Sequence, residues 1–453
     1  MSQSGPQGSP PKHLRVGEAV TADFDRMDVF GAGVGRPLDH DRPDIHCPGV
    51  HPGERARVRV LAVAKRARPV RAHAKLIELE HPHPQRREAS CARHDSRDGQ
   101  CAGCPLMTLE ESAQREIKRA RIVEALGLPV DAYHAAPSPL GYRWSSKRVV
   151  GGRRGALMFG SYLRGSHRIA DMESCQVDHP RIVEALEQLL ARANSMQITA
   201  WRAPGDGELR YVWAKCNGEA VLLTLLGSAE GLPRLRTLAH SLKSVEGVYV
   251  AAREGTDNAL RGHDEDPPLE HVCGLKELPY PDAGVEEGLG PLGFLQPNPE
   301  VAGRAYDALI GGPAGELISG QLAFDLYAGA GVTTTRLRAR FEQVRPVESY
   351  PESARALEVP PERAAQFLAD HRGPTPQLVV ANPPRAGLGG DCCTALVKLG
   401  APRLHIMSCS PDSFRRDLDA LSEVYQLERL ELFDTLPQTA HVELVAWLRK
   451  RDG

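Results

Sequence analysis

The sequence predicts a multidomain protein of α/β and β class: an N-terminal OB-like β-barrel, a central α+β domain and a C-terminal doubly wound α/β domain. Three observations predict it. A chain of 453 residues exceeds what one core ordinarily organises. Charged and apolar residues alternate at Ala56-Arg57-Val58-Arg59-Val60, the period of a half-buried strand. From Gly293 onward, short apolar runs alternate with helical stretches, the pattern of a parallel sheet. The expected boundaries are a tail over 1–12, the barrel over 13–80, the central domain over 81–290 and the α/β domain over 291–453.

The first dozen residues, MSQSGPQGSPPK, are polar and rich in Pro, Gly and Ser, so disorder is expected there. They do not read as a secretory signal, and no apolar run reaches membrane-spanning length. A soluble, cytoplasmic monomer is the expectation. The net charge of -2 excludes a chain that is basic throughout. The charge is uneven, however. Arg55, Arg57, Arg59, Lys65, Arg66, Arg68, Arg71 and Lys75 crowd one stretch, while 264–287 is acidic. Local basic patches govern phosphate contact more than the total does. Turns are expected at Gly31-Ala32-Gly33 and Pro52-Gly53-Glu54. The barrel's aromatics, Phe24 and Phe30, leave little for base stacking.

Ten cysteines without a signal point to metal or catalysis over disulfides. Cys101-Ala-Gly-Cys104 lets two thiolates meet one metal centre. Cys91 precedes it, and Cys175 follows much later in MESCQVDHP. Four thiolates suit an iron–sulfur cluster or a structural zinc, and spacing does not separate the two. Leu109 to Leu126 has helical period, with Ile117, Ile122, Val123 and Leu126 near one face. Arg115, Lys118, Arg119 and Arg121 fall on the other, which reads as a solvated face. Strands are expected at 149–150 and 157–159, a helix over 181–193, paired strands over 209–227 and an acidic connector over 255–290.

Strands are then expected at 322–327, 344–348, 378–381, 404–408, 430–433 and 442–448. The first, in LAFDLYAGAG, runs into Asp325 and a loop with Gly329 and Gly331, the shape of a nucleotide-type site. Glu348 ends the second, placed to accept hydrogen bonds from a ribose. In LVVANPPRAG a stiff Pro-Pro turn holds Asn382 at a strand end. In LHIMSCSPDSFRRDL a buried strand stops at Cys409, and a helix with an acidic first turn begins at Asp412. Glu443 lies in an otherwise apolar strand, where a carboxylate needs a partner or a raised pKa.

In this order the motifs D-x-Y-x-G-x-G, N-P-P-R-x-G, S-C-x-P-x-x-x-x-R-D-L and T-x-H-V-E, with GFLQPN at 293–298, resemble the RNA uracil-5 methyltransferases. These are S-adenosylmethionine (SAM) enzymes that make 5-methyluridine. The resemblance implies an RNA-binding TRAM domain for the barrel, a Rossmann-like class I methyltransferase domain at the C-terminus, and RNA as partner. It implies a [4Fe-4S] cluster on Cys91, Cys101, Cys104 and Cys175, with 94–98 as an inserted loop. Arg143, Lys147 and Arg148 of YRWSSKR would touch RNA phosphates. Gln296 and Asn382 would meet both base and cofactor, with Asn298 beside Gln296. Asp325, Tyr327, Gly329, Gly331 and Glu348 would hold SAM. Cys409 would be the nucleophile and Glu443 the base.

Carbon 5 of uracil is a poor nucleophile, and covalent catalysis is the way round this. A thiolate adds to carbon 6, the resulting enolate takes a methyl at carbon 5, and a base removes the proton. Arg385 and the helix start at Asp412 would supply positive potential to the thiol. The cluster-bearing members point to 23S ribosomal RNA as substrate. The T-loop uridine of transfer RNA is the alternative, followed by a catalytically weakened RNA-binding paralogue. Three departures from the family pattern stand out: Asn382 where Asp is usual, Ser410 where Asn is usual, and a short 348–378 segment lacking the N-A-x-x-N helix.

Overall fold

The computed structural model describes residues 13–38, 42–64, 69–94, 101–163, 166–202, 205–253, 268–280, 285–291, 293 and 296–452. The chain forms two compact units, 1–121 with 438–440, and 122–437 with 441–453.

In the first unit, β1 (Ala19–Met27), β2 (Gly33–Pro37), β3 (Asp44–Cys47), β4 (Glu54–Ala64) and β5 (Arg71–His81) close a barrel in the order β1-β2-β3-β5-β4. Alternation along β4 sends Ala56, Val58 and Val60 inward and Arg57 and Arg59 outward. Phe24 fills the interior beneath β2, where a Cβ at Gly35 would come 2.8 Å from its ring. Buried Glu54 accepts from Arg86 Nη1 at 2.6 and 2.8 Å, and from the N–H groups of His51 and His83. Beyond the barrel, Leu106, Leu109, Ala113 and Ile117 pack with Met27 and Ala440. The first four residues belong to, or lead into, helix α1 (Glu111–Leu126), whose final turn belongs to the second unit.

The second unit holds two seven-stranded sheets. Strand β6 (Ala132–His134) comes first in sequence. The central sheet uses β7 (Ser145–Arg153), β8 (Ala156–Tyr162) and β9 (Ile169–Asp171), then, after α2 (Pro180–Ser195), β10 (Leu209–Cys216) and β11 (Val221–Gly227). After α3 (Leu232–His240) come β12 (Gly247–Ala252) and β13 (Glu270–Gly274), giving the order β13-β12-β11-β10-β7-β8-β9. Ile182, Leu186 and Leu189 of α2 and Leu235 and Leu238 of α3 cover one face, on Phe159, Val212, Leu223 and Val248. A hairpin of β14 (Leu278–Tyr280) and β15 (Val285–Leu289) leads out.

The C-terminal sheet follows α4 (Pro299–Ile310). Its elements are β16 (Gly320–Leu326), α5 (Val332–Arg338), β17 (Phe341–Val347), α6 (Pro351–Ala356), α7 (Ala364–Asp370), β18 (Leu378–Ala381), α8 (Gly390–Leu399), β19 (Arg403–Ser408), α9 (Pro411–Leu421), β20 (Tyr425–Phe433) and β21 (Glu443–Lys450). The order is β17-β16-β18-β19-β21-β20-β6, parallel from β17 to β19 with β21 antiparallel between β19 and β20. One face packs on α4 and α5 through Ala305, Leu309 and Leu337. The other packs on α8 and α9 through Leu396, Phe414 and Leu418, with Ile122 and Leu126 from the end of α1. Among the described residues, no helix is long and apolar enough to cross a membrane.

Several expectations are corrected. Residues 132–134, placed by sequence in the central domain, pair in parallel with β20 at the edge of the C-terminal sheet. The expected acidic connector contains β13, β14 and β15, while 254–267 and 281–284 lie outside the described residues. So do Lys65, Arg66, Arg68, residues 95–98 of the expected inserted loop, Phe294 and Leu295. Lys118 is fully buried rather than solvated. Phe24 is inside the barrel and offers no stacking surface, whereas Phe30 is exposed.

Arg148 also differs from its expected role. It points into the helix-covered side of the central sheet, where its guanidinium pairs with buried Asp178 and donates to Ser146 Oγ at 2.6 Å. It is therefore a structural ion pair, not a phosphate contact. Removing one partner strands the other charge in a dry core. Arg148→Met should cost about 3–5 kcal/mol, read as a fall in the urea midpoint. Arg57→Met on the exposed barrel face should shift it little.

Candidate active site

Cys409 directly follows β19, and Glu443 is the first residue of β21. The antiparallel register runs from Arg403↔Arg449 to Ser408↔Leu444, so the next pair along is Cys409 and Glu443. Side chains directly opposite on such strands have Cβ atoms about 5 Å apart. Cys409 is half-buried and Glu443 is buried. Burial pushes the Cys409 thiol up, and the Glu443 carboxylate pushes it further. The positive charge of Arg385, from the loop after β18, draws it back down. Burial lifts Glu443 to about 7, against the same arginine. A thiol and a carboxyl thus share one arginine at the carboxyl edge of the sheet.

Local sequence explains why the loop is firm. Ser410 caps α9, its hydroxyl accepting from Ser413 N–H, and Pro411 takes the first helical position. Ser408 Oγ accepts the Ser410 N–H at 3.3 Å. Asp417, one turn further along α9, accepts from the N–H groups of Leu388 at 2.8 Å and Gly389 at 3.3 Å. This pins the loop carrying Asn382 and Arg385, in which a Cβ at Gly387 would strike that carboxylate at 2.4 Å. Half-buried Asn382 donates its own N–H to Leu326 O at 3.3 Å.

The glycine turn follows β16. Gly329 has φ +56 and Gly331 φ +84, and a Cβ on Gly329 would project into open space. That gap is what the donor's close approach to backbone requires, so the turn fits SAM. Tyr327 also adopts a left-handed φ of +61, and its hydroxyl donates to Leu388 O. Glu348 accepts the Gly329 N–H at 2.8 Å through one carboxylate oxygen and the Tyr350 N–H at 2.6 Å through the other. Each oxygen keeps a lone pair for a ribose hydroxyl. Asp325 has a different part from the one expected. It is 1 % exposed, and its oxygens accept from Thr333 and Thr334 hydroxyls at 2.6–2.9 Å. Its carboxyl, lifted to about 6 by burial, braces the start of α5 beneath the turn. Where the sequence lacks the family's helix after the second strand, α6 and α7 are short.

Gln296 lies on the segment before α4, which several groups fix. Asn298 caps α4 through Val301 N–H, and Pro297 O accepts the Trp144 N–H at 2.7 Å. Lys215 of β10 donates from Nζ to Gly290 O at 3.2 Å and to Gly293 O, above the Trp213 ring. Burial lowers its ammonium to about 7. Gln296 and Glu443 both lie near buried Tyr306. Sequence reasoning missed Lys215, Tyr306 and Asp417 as supports. The R-D-L tripeptide of the motif was the available signal for Asp417.

Of the expected phosphate contacts, Arg143 lies beside Tyr142 and Asp178, and Lys147 stacks its ammonium 4.4 Å over Tyr211. Cys91, Cys101 and Cys104 belong to the first unit and Cys175 to the second. Gly103 N–H donates to Cys101 Sγ at 3.4 Å, and the N–H groups of Val177 and Asp178 to Cys175. Such donors suit thiolate ligands. Among the described residues, however, no three Cys, His, Asp or Glu side chains gather as metal ligands.

The family model described as tRNA (uracil-5-)-methyltransferase matches residues 374–451, the stretch carrying Asn382, Cys409 and Glu443. A curated relative from Geobacter sulfurreducens named as an RNA methyltransferase is 29% identical, over 96% of this chain and 89% of its own. The chain is thus similar to RNA methyltransferases over nearly its whole length and to a uracil-5 methyltransferase model over its C-terminal part. A second such relative, from Bacillus cereus, is 26% identical over 97% of this chain and 98% of its own. The Pyrococcus abyssi tRNA (uracil-54, C5)-methyltransferase, solved with S-adenosyl-L-homocysteine, shares the fold at a TM-score of 0.71 and 20% identity, covering 94% of this chain and all of that one. These likenesses indicate an RNA methyltransferase that uses SAM.

The protonation of Glu443 has a consequence for stability. Folded, the carboxyl keeps its proton up to about pH 7, whereas an unfolded glutamate loses it near about 4.3. Between those values the folded state binds more protons, so its stability falls as pH rises, by about 4 kcal/mol in all. Glu443→Gln should therefore stabilise the protein at pH 8 by up to about 4 kcal/mol and have little effect at pH 4.5. Urea titrations at the two pH values check this.

Proposed function

We propose that this protein methylates carbon 5 of a uridine in RNA through a covalent Cys409–uracil adduct, with 23S ribosomal RNA as substrate. The observation that carries the reading is the meeting of Cys409, Glu443 and Arg385 at one sheet edge, beside the glycine turn of the same sheet. SAM supplies an electrophilic methyl group at that turn. The Cys409 thiolate bonds to carbon 6 of the uracil, and the pair displaced from the C5–C6 double bond makes carbon 5 nucleophilic. Once carbon 5 carries the methyl, Glu443 takes its proton. The electrons of that C–H bond restore the double bond and expel the thiolate. Arg385 holds the sulfur's negative charge before addition and after release. Gln296 and Asn382 meet the base edge, and Glu348 the donor's ribose. Asp325 acts from beneath the turn. The base leaves its stack to react, which a loop or single strand makes cheaper.

Support for the ribosomal substrate comes from the four cysteines, which we read as ligands of a [4Fe-4S] cluster. Iron analysis and visible absorbance of anaerobically purified protein test that reading. Transfer RNA is the second reading, favoured by the matched family's description. The intact cysteine–glutamate pair speaks against a paralogue that only binds RNA.

Tritium release from [5-3H]uridine-labelled ribosomal and transfer RNA transcripts, with SAM, tests the function and separates the substrates. Cys409→Ala should abolish release. Release should climb with pH through about 7, since Glu443 must be ionised and Cys409 deprotonated. A Cys409→Ala protein as active as the parent would end the covalent reading.

A further inference from the structure

The peptide that leads into Glu443 is held by groups from far away in the chain. Gln438–Ala440 belongs to the first unit, not to the sheet that it feeds. Gln438 O accepts the Leu106 N–H at 3.0 Å, and Ala440 O accepts from Arg121 Nη1 at 2.8 Å. The remaining bonds come from Gln114, buried in the first turn of α1. Its Nε2 donates to Leu109 O and to Gln438 Oε1, both at 2.9 Å, and its Oε1 accepts the Gln438 N–H at 3.2 Å.

This arrangement has one orientation. Leu109 O can only accept and the Gln438 N–H can only donate, so the Gln114 amide cannot turn over. Gln438 itself has φ +66, a left-handed backbone that a residue other than glycine keeps only where its surroundings over-determine it. Strain of this kind gathers where a site needs its backbone aimed. Here it lies five residues before Glu443. Glu443 is the first residue of β21 and pairs with Phe433 at the end of β20. The ladder begins there, so the chain before it sets the direction from which the backbone enters. Resting on the function proposed above, we propose that Gln114 is a positioning residue for proton removal at carbon 5: its hold on Gln438 aims the peptide that carries Glu443.

Gln114 thereby serves the last step. Bonding of the Cys409 sulfur to carbon 6 and methyl transfer to carbon 5 come before any proton leaves. Glu443 then takes the carbon-5 proton, and the electrons of that C–H bond re-form the double bond and break the bond from sulfur to carbon 6. A base must come within hydrogen-bond reach of its proton, and a misplacement of about 1 Å costs up to about 100-fold. With Glu443 mis-set, methylated RNA stays bonded to Cys409.

The test uses the full chain, SAM and whichever [5-3H]uridine-labelled transcript, ribosomal or transfer RNA, the parent protein acts on. Gln114→Met keeps the buried volume and removes the side-chain hydrogen bonds. It should release tritium about 10- to 100-fold more slowly, with KM for RNA and S-adenosylhomocysteine binding unchanged. On a denaturing gel it should show more protein joined to RNA than the parent does, and Glu443→Gln marks the limit of that behaviour. Gln438→Asn tolerates the left-handed backbone but is too short to reach the Gln114 amide. It should move release and conjugate in the same directions by less, and it decides the matter if Gln114→Met fails to fold. The two substitutions together should do no more than Gln114→Met alone, because the pair acts as one unit. Release as fast as the parent's, or slower release without added conjugate, would overturn the proposal and leave the methyltransferase reading standing. No release by the parent protein and no conjugate in Glu443→Gln would overturn that reading itself, and this one with it.

Discussion

The structure depends on the antiparallel register between β19 and β21. A strand has a side-chain period of two, so a slip of one residue would turn every inward group outward. In the observed register, Leu404, Ile406, Leu444 and Ala446 share one helix layer, while Met407, Val445 and Trp447 share the other. Only this pairing leaves Cys409 and Glu443 opposite each other at the strand ends. Two buried polar groups tie the same strands to the end of α4. His405 Nδ1 meets Leu309 O at 2.8 Å, and Trp447 Nε1–H donates to Gly311 O at 2.9 Å. The helix that carries Tyr306 is thereby fixed to the strands that carry the chemistry.

Burial at that edge is chemically useful and energetically unfavourable. It keeps a carboxyl protonated to a pH at which water would ionise it and holds a thiol more firmly protonated than water would, with one arginine as counter-charge to both. A carboxyl near about 7 can take a proton and return it at neutral pH. The same desolvation lowers Lys215, which is compensated by carbonyls instead of a carboxylate. Support for the site thus comes from groups that satisfy backbone atoms: Lys215, Asp417, Ser410 and Asn298.

What was legible in the sequence sits where strands end. Cys409, the Gly329 turn, Asn382 and Glu443 each break a short apolar run with a residue that the run does not explain, and the observed strands bracket them closely. What was not legible depends on partners distant in the chain. Arg148 and Lys118 look like surface cations until the sheet and helix around them are built. Tyr306 is one apolar-face residue among several on α4, and only its nearness to Glu443 sets it apart. Strand β6 is too short to signal which sheet it will join, and the pairing with β20 decides it. Asp325 was read as meeting the ligand because it stands beside the glycines. Two threonine hydroxyls, from residues that carry no motif, claim it instead.

The crossing position of β21 has one more consequence. Being flanked on both sides by β19 and β20, it cannot peel away as an edge strand can, and its ladder belongs to the most slowly opening part of the domain. Heating should therefore leave Cys409 and Glu443 facing each other until the whole sheet melts, in one cooperative step.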